Sequence, residues 1–132
     1  MIISSMMQRT PLPLASRHIK GFTLIELLVV GAVIGILVAI AIPQFIAYRA
    51  RGIDTQMKSD LKNAAIAMES YFADKKSYPT TVAAISAVGF TQTPGVTMSI
   101  NVTSPNSFTL TASAPNGTQP SFTLSSTTGQ IN

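Results

Sequence analysis

The fold of this chain is decided by residues 20–48, which read KGFTLIELLVVGAVIGILVAIAIPQFIAY. Between Lys20 and Arg49 the single charged side chain is Glu26. The uncharged part, residues 27–48, corresponds to about 33 Å of helix, enough to cross a hydrocarbon core of roughly 30 Å. The pattern therefore predicts one membrane-spanning helix near the start of the sequence.

The charges on either side of this helix indicate its orientation. Arg9, Arg17 and Lys20 precede it, and the polar bulk of the chain follows it. Because Lys and Arg beside a membrane span stay on the cytoplasmic side, we expect a single pass with the amino terminus in the cytoplasm. Arg49 and Arg51 on the far flank weaken this asymmetry.

Glycine and proline modify the apolar helix. Pro43 has no amide donor for the carbonyl of Ala39, so we expect a kink or a loosened turn there. Gly31 and Gly35 stand four residues apart, a spacing that lets two helices approach closely. The simpler alternative is that glycine is merely tolerated in a membrane helix.

Residues 53–72 predict an amphipathic helix. Their apolar side chains recur every three or four positions and form one stripe: Ile53, Met57, Leu61, Ala64, Met68 and Phe72. Asp54 and Lys58 are spaced to pair across one helical turn. Ser77-Tyr78-Pro79 is expected to end the helix.

Residues 77–132 predict a small antiparallel sheet. Apolar and polar residues alternate in 96–103 and 108–112, and again at Phe122 and Leu124, with turn residues between them, including Pro115-Asn116-Gly117. A short helix is expected over 82–88. The predicted fold class is therefore α+β: a long N-terminal helix whose hydrophobic half spans the membrane and whose C-terminal half packs against the sheet.

Composition argues against an enzyme. The chain has 132 residues, no cysteine and one histidine, His18. Few groups remain for nucleophilic, acid–base or metal chemistry, so we expect no catalytic residue, cofactor or metal site. The pI of 9.8 owes much to Arg9, Arg17 and Lys20; beyond them six basic residues face five acidic ones. No specific nucleic-acid site is predicted.

The segment Lys20-Gly21-Phe22-Thr23-Leu24-Ile25-Glu26, followed by Leu27-Leu28-Val29-Val30, resembles the class III signal of type IV pilins and pseudopilins. The resemblance, best to a type IVa-like major pilin, continues through Ala41-Ile42-Pro43-Gln44-Phe45 to Tyr78-Pro79. The sheet is similar to the family only in architecture.

This resemblance implies processing by a prepilin peptidase, which cuts between Gly21 and Phe22 and methylates the new amine of Phe22. Residues 1–21 are then a removed leader, 22–52 the hydrophobic transmembrane and filament-core helix, 53–76 the amphipathic helix and 77–132 the sheet head. The leader is longer than usual, which suggests a true start at Met6 or Met7. Gly21 would let the backbone enter the protease without a side chain in the way.

Glu26 needs a partner, since a carboxylate near a bilayer core costs about 2.5–3.5 kcal/mol. Cleavage turns the amide of Phe22 into a cation, and we expect Glu26 to pair with that amine on a neighbouring subunit. The alternative is a pair with Phe22 of its own chain. In related filaments the helix near Gly35 and Pro43 loosens on assembly, and the same is expected here.

The resemblance implies a helical homo-oligomer, stored as a precursor in the inner membrane, assembled by membrane machinery and displayed as an extracellular pilus for adhesion, twitching motility or DNA uptake. One alternative is a type II secretion pseudopilin, although no carboxylate follows Asp74 to form the calcium site of many major pseudopilins. The other is an electron-conducting filament, with a possible aromatic path over Phe22, Phe45, Tyr48, Tyr71, Phe72 and Tyr78.

Overall fold

The computed structural model describes residues 20–132. Of the predicted leader it therefore covers only Lys20 and Gly21; the remaining predictions for the leader, on Met6, Met7, Arg9, Arg17 and His18, lie outside the described residues. The chain forms helix α1 (Leu24–Lys75), helix α2 (Val82–Ser86), and strands β1 (Thr97–Ser104), β2 (Ser107–Ser113) and β3 (Ser121–Ser125). This order confirms the predicted α+β fold.

Contacts divide the chain into two compact units, the first ending at Ile36 and the second running from Leu37 to Asn132. In the first unit every described residue is exposed, including Phe22, Leu24 and Leu27. Among the described helices, α1 alone is long and apolar enough to cross a membrane. Apolar side chains at this density are stable in lipid or against another apolar surface, but not in water.

Helix α1 is assigned without interruption through Pro43 and Gly52. The amphipathic stripe lies where its periodicity predicts, because Met57, Leu61, Ala64 and Met68 are all fully buried. They form one core with the inward side chains of the sheet, which are Met98, Phe108, Leu110, Ala112, Phe122 and Leu124. This core fixes the second half of α1 against the sheet.

The sheet has the order β1-β2-β3 and is antiparallel throughout. Ile100 pairs with Leu110, and Leu110 pairs with Leu124, so the apolar residues of all three strands face the same side. Beyond β3 the chain returns, and the amide of Asn132 donates to the carbonyl of Thr123 at 2.9 Å. The last residues thereby cover part of the outer edge of β3.

Helix α2 is shorter than the predicted 82–88, because the backbone tightens after Ser86. The amide of Val88 donates to Ile85 and that of Gly89 to Ser86, a three-residue spacing that cannot continue an α-helix. Gly89 then adopts φ 105°, which glycine reaches without a steric penalty.

Two buried carboxylates on α1 hold loops of the head, and we call them the aspartate anchors (Asp54–Thr118 and Asp60–Thr93). Asp60 accepts from the amide of Thr93 at 2.8 Å and from its hydroxyl at 2.7 Å. Asp54 accepts from the amide of Thr118 at 2.8 Å and also from its hydroxyl. In a chain without cysteine, these anchors tie the α2–β1 and β2–β3 loops to the helix.

The predicted ion pair between Asp54 and Lys58 is not formed. Within residues 20–132 the one ion pair joins Lys75 to Asp74 at 3.1 Å, while the ammonium of Lys58 lies 4.5 Å from the ring centroid of Phe122. Burial on its own would raise the pKa of Asp54, but the hydrogen bonds from Thr118 and Gln119, together with the nearby charge of Lys58, outweigh burial and lower the pKa. The carboxylate is therefore held ionised by the loop.

Candidate functional site

The predicted cleavage point lies immediately before α1. Residues 20–23 are not helical, and the side chain of Phe22 is 87% exposed. A methyl group placed on Gly21 would meet no atom within 4 Å. Packing among residues 20–132 therefore gives no reason for glycine at this position, which agrees with a demand imposed from outside, such as the fit of a protease.

Glu26 lies in the first turn of α1 and is bound by Thr23, the residue directly before the helix. The amide and the hydroxyl of Thr23 each donate to Oε2 of Glu26 at 2.8 Å. In return, the amide of Glu26 donates to the hydroxyl oxygen of Thr23 at 3.3 Å. This reciprocal arrangement is a capping box, which satisfies amide groups that the first helical turn leaves without partners.

The capping box has two chemical consequences. It fixes the carboxylate at the positive end of the helix dipole, where an anion is stabilised. Both bonds from Thr23 use Oε2, so Oε1 can accept a further donor from outside the chain. Within its own chain Glu26 is therefore hydrogen-bonded to Thr23. Its pairing with the amine of Phe22 on a neighbouring subunit remains a prediction.

Our sequence interpretation did not assign Thr23 a role. The signal was present, because Thr followed three residues later by Glu, just before an apolar run, is the sequence pattern of a capping box.

Gly31, Gly35 and Pro43 all lie within α1. A methyl group added at Gly31 or Gly35 would meet nothing within 4 Å, so neither glycine is required by packing within the chain. Contact with another helix would explain this spacing, and tolerance of glycine in a membrane helix is the alternative. Pro43 is accommodated within the assigned helix, and its predicted loosening during assembly stays a prediction.

The predicted aromatic path contains one close group of rings, in the head. The ring centroids of Phe72 and Tyr78 are 4.6 Å apart, and those of Tyr78 and the buried Phe108 are 4.8 Å apart. Burial, with a hydrogen bond from the Tyr78 hydroxyl to Glu69 at 2.9 Å, raises the pKa of Tyr78. Among the described residues no ring pair includes the other predicted members, which are Phe22, Phe45, Tyr48 and Tyr71.

Two family models match the chain. Residues 16–42 match the prokaryotic N-terminal methylation motif. Residues 43–126, more than half of the chain, match the family described as type IV minor pilin ComP, DNA uptake sequence receptor. The first match covers Thr23, Glu26 and most of the exposed apolar part of α1, and the second covers the rest of α1 and nearly all of the head.

Three relatives place the chain more closely. It is 44% identical over 103 residues, 77% of this chain and 79% of the relative, to the type IV wide pilus major component PilA4 of Thermus thermophilus. It is 51% identical over 59 residues, 45% of this chain and 27% of the relative, to the type IV major pilin protein PilA of Myxococcus xanthus. It is 38% identical over 72 residues, 54% of this chain and 51% of the relative, to the type II secretion system core protein G of Pseudomonas aeruginosa. Because both the methylation helix and the head match, the chain belongs to the type IV pilin family.

Proposed function

We propose that this type IV pilin is the structural subunit of a surface pilus that serves adhesion, motility or DNA uptake. Its precursor is held in the inner membrane by one helix with a cytoplasmic amino terminus. A prepilin peptidase cuts between Gly21 and Phe22 and methylates the new amine, and membrane machinery then assembles the subunits into a helical filament. The observation that carries this proposal is the isolated carboxylate of Glu26, which directly precedes the uncharged and exposed residues 27–48 of α1.

Cleavage supplies a positively charged partner for the carboxylate of Glu26. In the precursor the nitrogen of Phe22 is an uncharged amide, and after cleavage it is a cation. Glu26 already has one carboxylate oxygen bonded to Thr23, which leaves the other for the amine of a neighbouring subunit. In the low dielectric of a filament core such a pair is much stronger than in water.

The role is structural and not catalytic. The two buried carboxylates, Asp54 and Asp60, are occupied by Thr118 and Thr93 and hold loops in place. A filament subunit needs a stable head and an exposed apolar helix, and both of these features are present. No reaction is needed to explain any of the buried polar groups described above.

The second candidate is a type II secretion pseudopilin, because one relative is a core protein of that system. An antibody raised against residues 95–132 separates the two functions on intact cells. A surface pilus gives labelled fibres outside the cell, whereas a pseudopilus leaves intact cells unlabelled. Labelling found only after the outer membrane is opened would overturn the pilus proposal.

The description of one matching family includes reception of a DNA uptake sequence, and we propose no sequence-specific DNA site here. Residues 77–132 contain no Lys or Arg, so the sheet and its loops offer no cation to a phosphate. Cationic contacts to DNA would have to come from the basic residues of α1 and its end, which are Arg49, Arg51, Lys58, Lys62, Lys75 and Lys76.

Replacing Gly21 with Val is expected to block processing without disturbing the fold. A Cβ added at Gly21 meets no atom within 4 Å among the described residues, so the obstacle would arise in the peptidase. On a denaturing gel the variant should accumulate as the uncut precursor, and no fibres should form.

Gly52→Val is the matched control, because Gly52 is also an exposed glycine whose added Cβ meets nothing within 4 Å. Its precursor should be cleaved at the normal rate. Normal cleavage of Gly21→Val would show that the cut lies elsewhere.

A further inference from the structure

One exposed apolar side chain interrupts the outward face of the second half of α1. Among described residues beyond 48, the large hydrophobic side chains that remain exposed are Ile66, at 69%, and Val88, at 38%. Ile66 is flanked on α1 by Lys62, Asn63, Glu69 and Ser70, which are also exposed. An isoleucine in that position gains nothing from the fold of its own chain.

Ile66 stands between two open grooves. The first, of about 490 Å³, has a largely apolar lining that includes Ala65, Phe108 and Leu124. The second, of about 340 Å³, is lined on its far side by Val88 and Phe90. We call this surface, Ile66 with a groove on each side, the Ile66 ridge.

The same chain carries an apolar segment that needs a cover. Residues 27–48 contain no charge, and every one of them is exposed in the single chain. Once a subunit has left the membrane, this segment is stable only against another apolar surface. Residues 49–132 offer little exposed apolar surface other than the Ile66 ridge.

The charges around the ridge fit an uncharged occupant. Lys62 and Glu69 both line the first groove, and they lie on either side of Ile66 along α1. Their ammonium and carboxylate groups can remain in water while their stems border an apolar neighbour. A charged partner would instead lose hydration beside Phe108 and Leu124, which is unfavourable.

We propose that the Ile66 ridge is the seat for residues 27–48 of a second copy of this chain. The inference rests on the proposed function and adds to it a particular contact between two subunits. Ile66 enters the surface of the neighbour's helix, where Gly31 and Gly35 allow a close approach. The ridge thus covers part of the apolar helix that cleavage and extraction from the membrane would otherwise expose.

Ile66→Lys tests the ridge directly. Because the side chain is 69% exposed, the head should fold and the leader should be removed as in the parent. A charge buried against an apolar helix is expected to lower the yield of fibres by about tenfold or more. Ile66→Leu should assemble normally, and so should Ser99→Lys, which places the same charge on the exposed side of strand β1.

Cross-linking identifies the occupant, and the chain favours this method because it contains no cysteine. Ile66→Cys is combined in turn with single cysteines at positions 27–48, and intact fibres are oxidised. We expect covalent multimers for a few positions on one face of the helix, and none when Ser99→Cys replaces Ile66→Cys. The best position then gives the axial offset between two copies.

Two results would contradict the proposed contact at the Ile66 ridge. One is a normal fibre yield from Ile66→Lys. The other is cross-linking that, at every position, is no greater than that of the Ser99→Cys control. If fibre formation still depends on Glu26 in either case, the proposed pilus function stands and only the proposed contact at the Ile66 ridge is wrong. If the parent chain forms no surface fibre at all, the proposed function itself fails.

Discussion

Cells that carry Glu26→Gln are expected to process and store the subunit normally but to display few pili. Glutamine has nearly the same shape as glutamate, and its amide oxygen can still accept the bonds that Thr23 donates at 2.8 Å. It carries no charge, so it cannot form an ion pair with the amine of Phe22 on a neighbour. Losing the charge of one partner should lower the fibre yield by about tenfold or more.

Two further variants separate capping from ion pairing. Glu26→Ala loses both interactions and should behave like Glu26→Gln or worse. Thr23→Val loses the hydroxyl of the capping box but keeps the backbone amide bond and the charge, so it should retain most of the fibres. Wild-type piliation from Glu26→Gln would mean that the carboxylate serves only as a helix cap.

Replacing Gly117 with Ala is expected to destabilise the head more than its position in a loop suggests. The new methyl group would lie 2.7 Å from Oδ1 of Asp54, 2.9 Å from the carbonyl of Gln119 and 3.1 Å from the terminal methyl of Met57. The buried anchor or the backbone must move, which should lower the free energy of unfolding by about 1–3 kcal/mol. Denaturant unfolding of the full chain in detergent, followed through Tyr71 and Tyr78, measures this change.

The same substitution at Gly52 provides a control, because it is expected to raise the free energy of unfolding instead of lowering it. Gly52 lies inside α1, where an added methyl group meets nothing within 4 Å, so Gly52→Ala should stabilise the helix by up to about 1 kcal/mol.

A double-mutant cycle tests the contact itself. Asp54→Ala removes the oxygen nearest to the new methyl group, so the two changes together should cost about 1 kcal/mol less than their sum. Simple additivity would show that the methyl group at Gly117 does not press on the aspartate.

Local periodicity explains why so much of the fold could be predicted. Helix α1 and the three strands each repeat their apolar residues at the helical or the strand period, and the buried side chains of Met57, Leu61, Phe108 and Leu124 follow those repeats. The observed strands differ from the predicted ones by one residue at each end, where hydrogen bonding rather than side-chain alternation sets the boundary.

The aspartate anchors could not be predicted, because each joins residues that are far apart in the sequence. Asp54 is bound by Thr118, and Asp60 is bound by Thr93. On a helix, an aspartate four residues before a lysine predicts a surface ion pair. Asp54 also stands three residues before Met57 and seven before Leu61, which places it beside the apolar stripe, but the sequence does not show that Thr118 of the β2–β3 loop binds it there.

The turn at Pro115-Asn116-Gly117 was predicted in the right place but for an incomplete reason. Asn116, not Gly117, occupies the left-handed region, with φ 66°, a conformation that Asn tolerates better than most residues. Gly117 is required for a different purpose, since its missing side chain lets the loop approach Asp54. The sequence alone shows that a glycine is present but not which of these constraints it meets.

In the proposed function, cleavage after Gly21 creates the subunit that assembles. Mass spectrometry of fibres that have been sheared from the cell surface and purified provides a direct test. We expect the fibre subunit to begin at Phe22, to carry one methyl group on its amine and to dominate the preparation. Fibres without this chain, or with a subunit that still contains residues before Phe22, would contradict it.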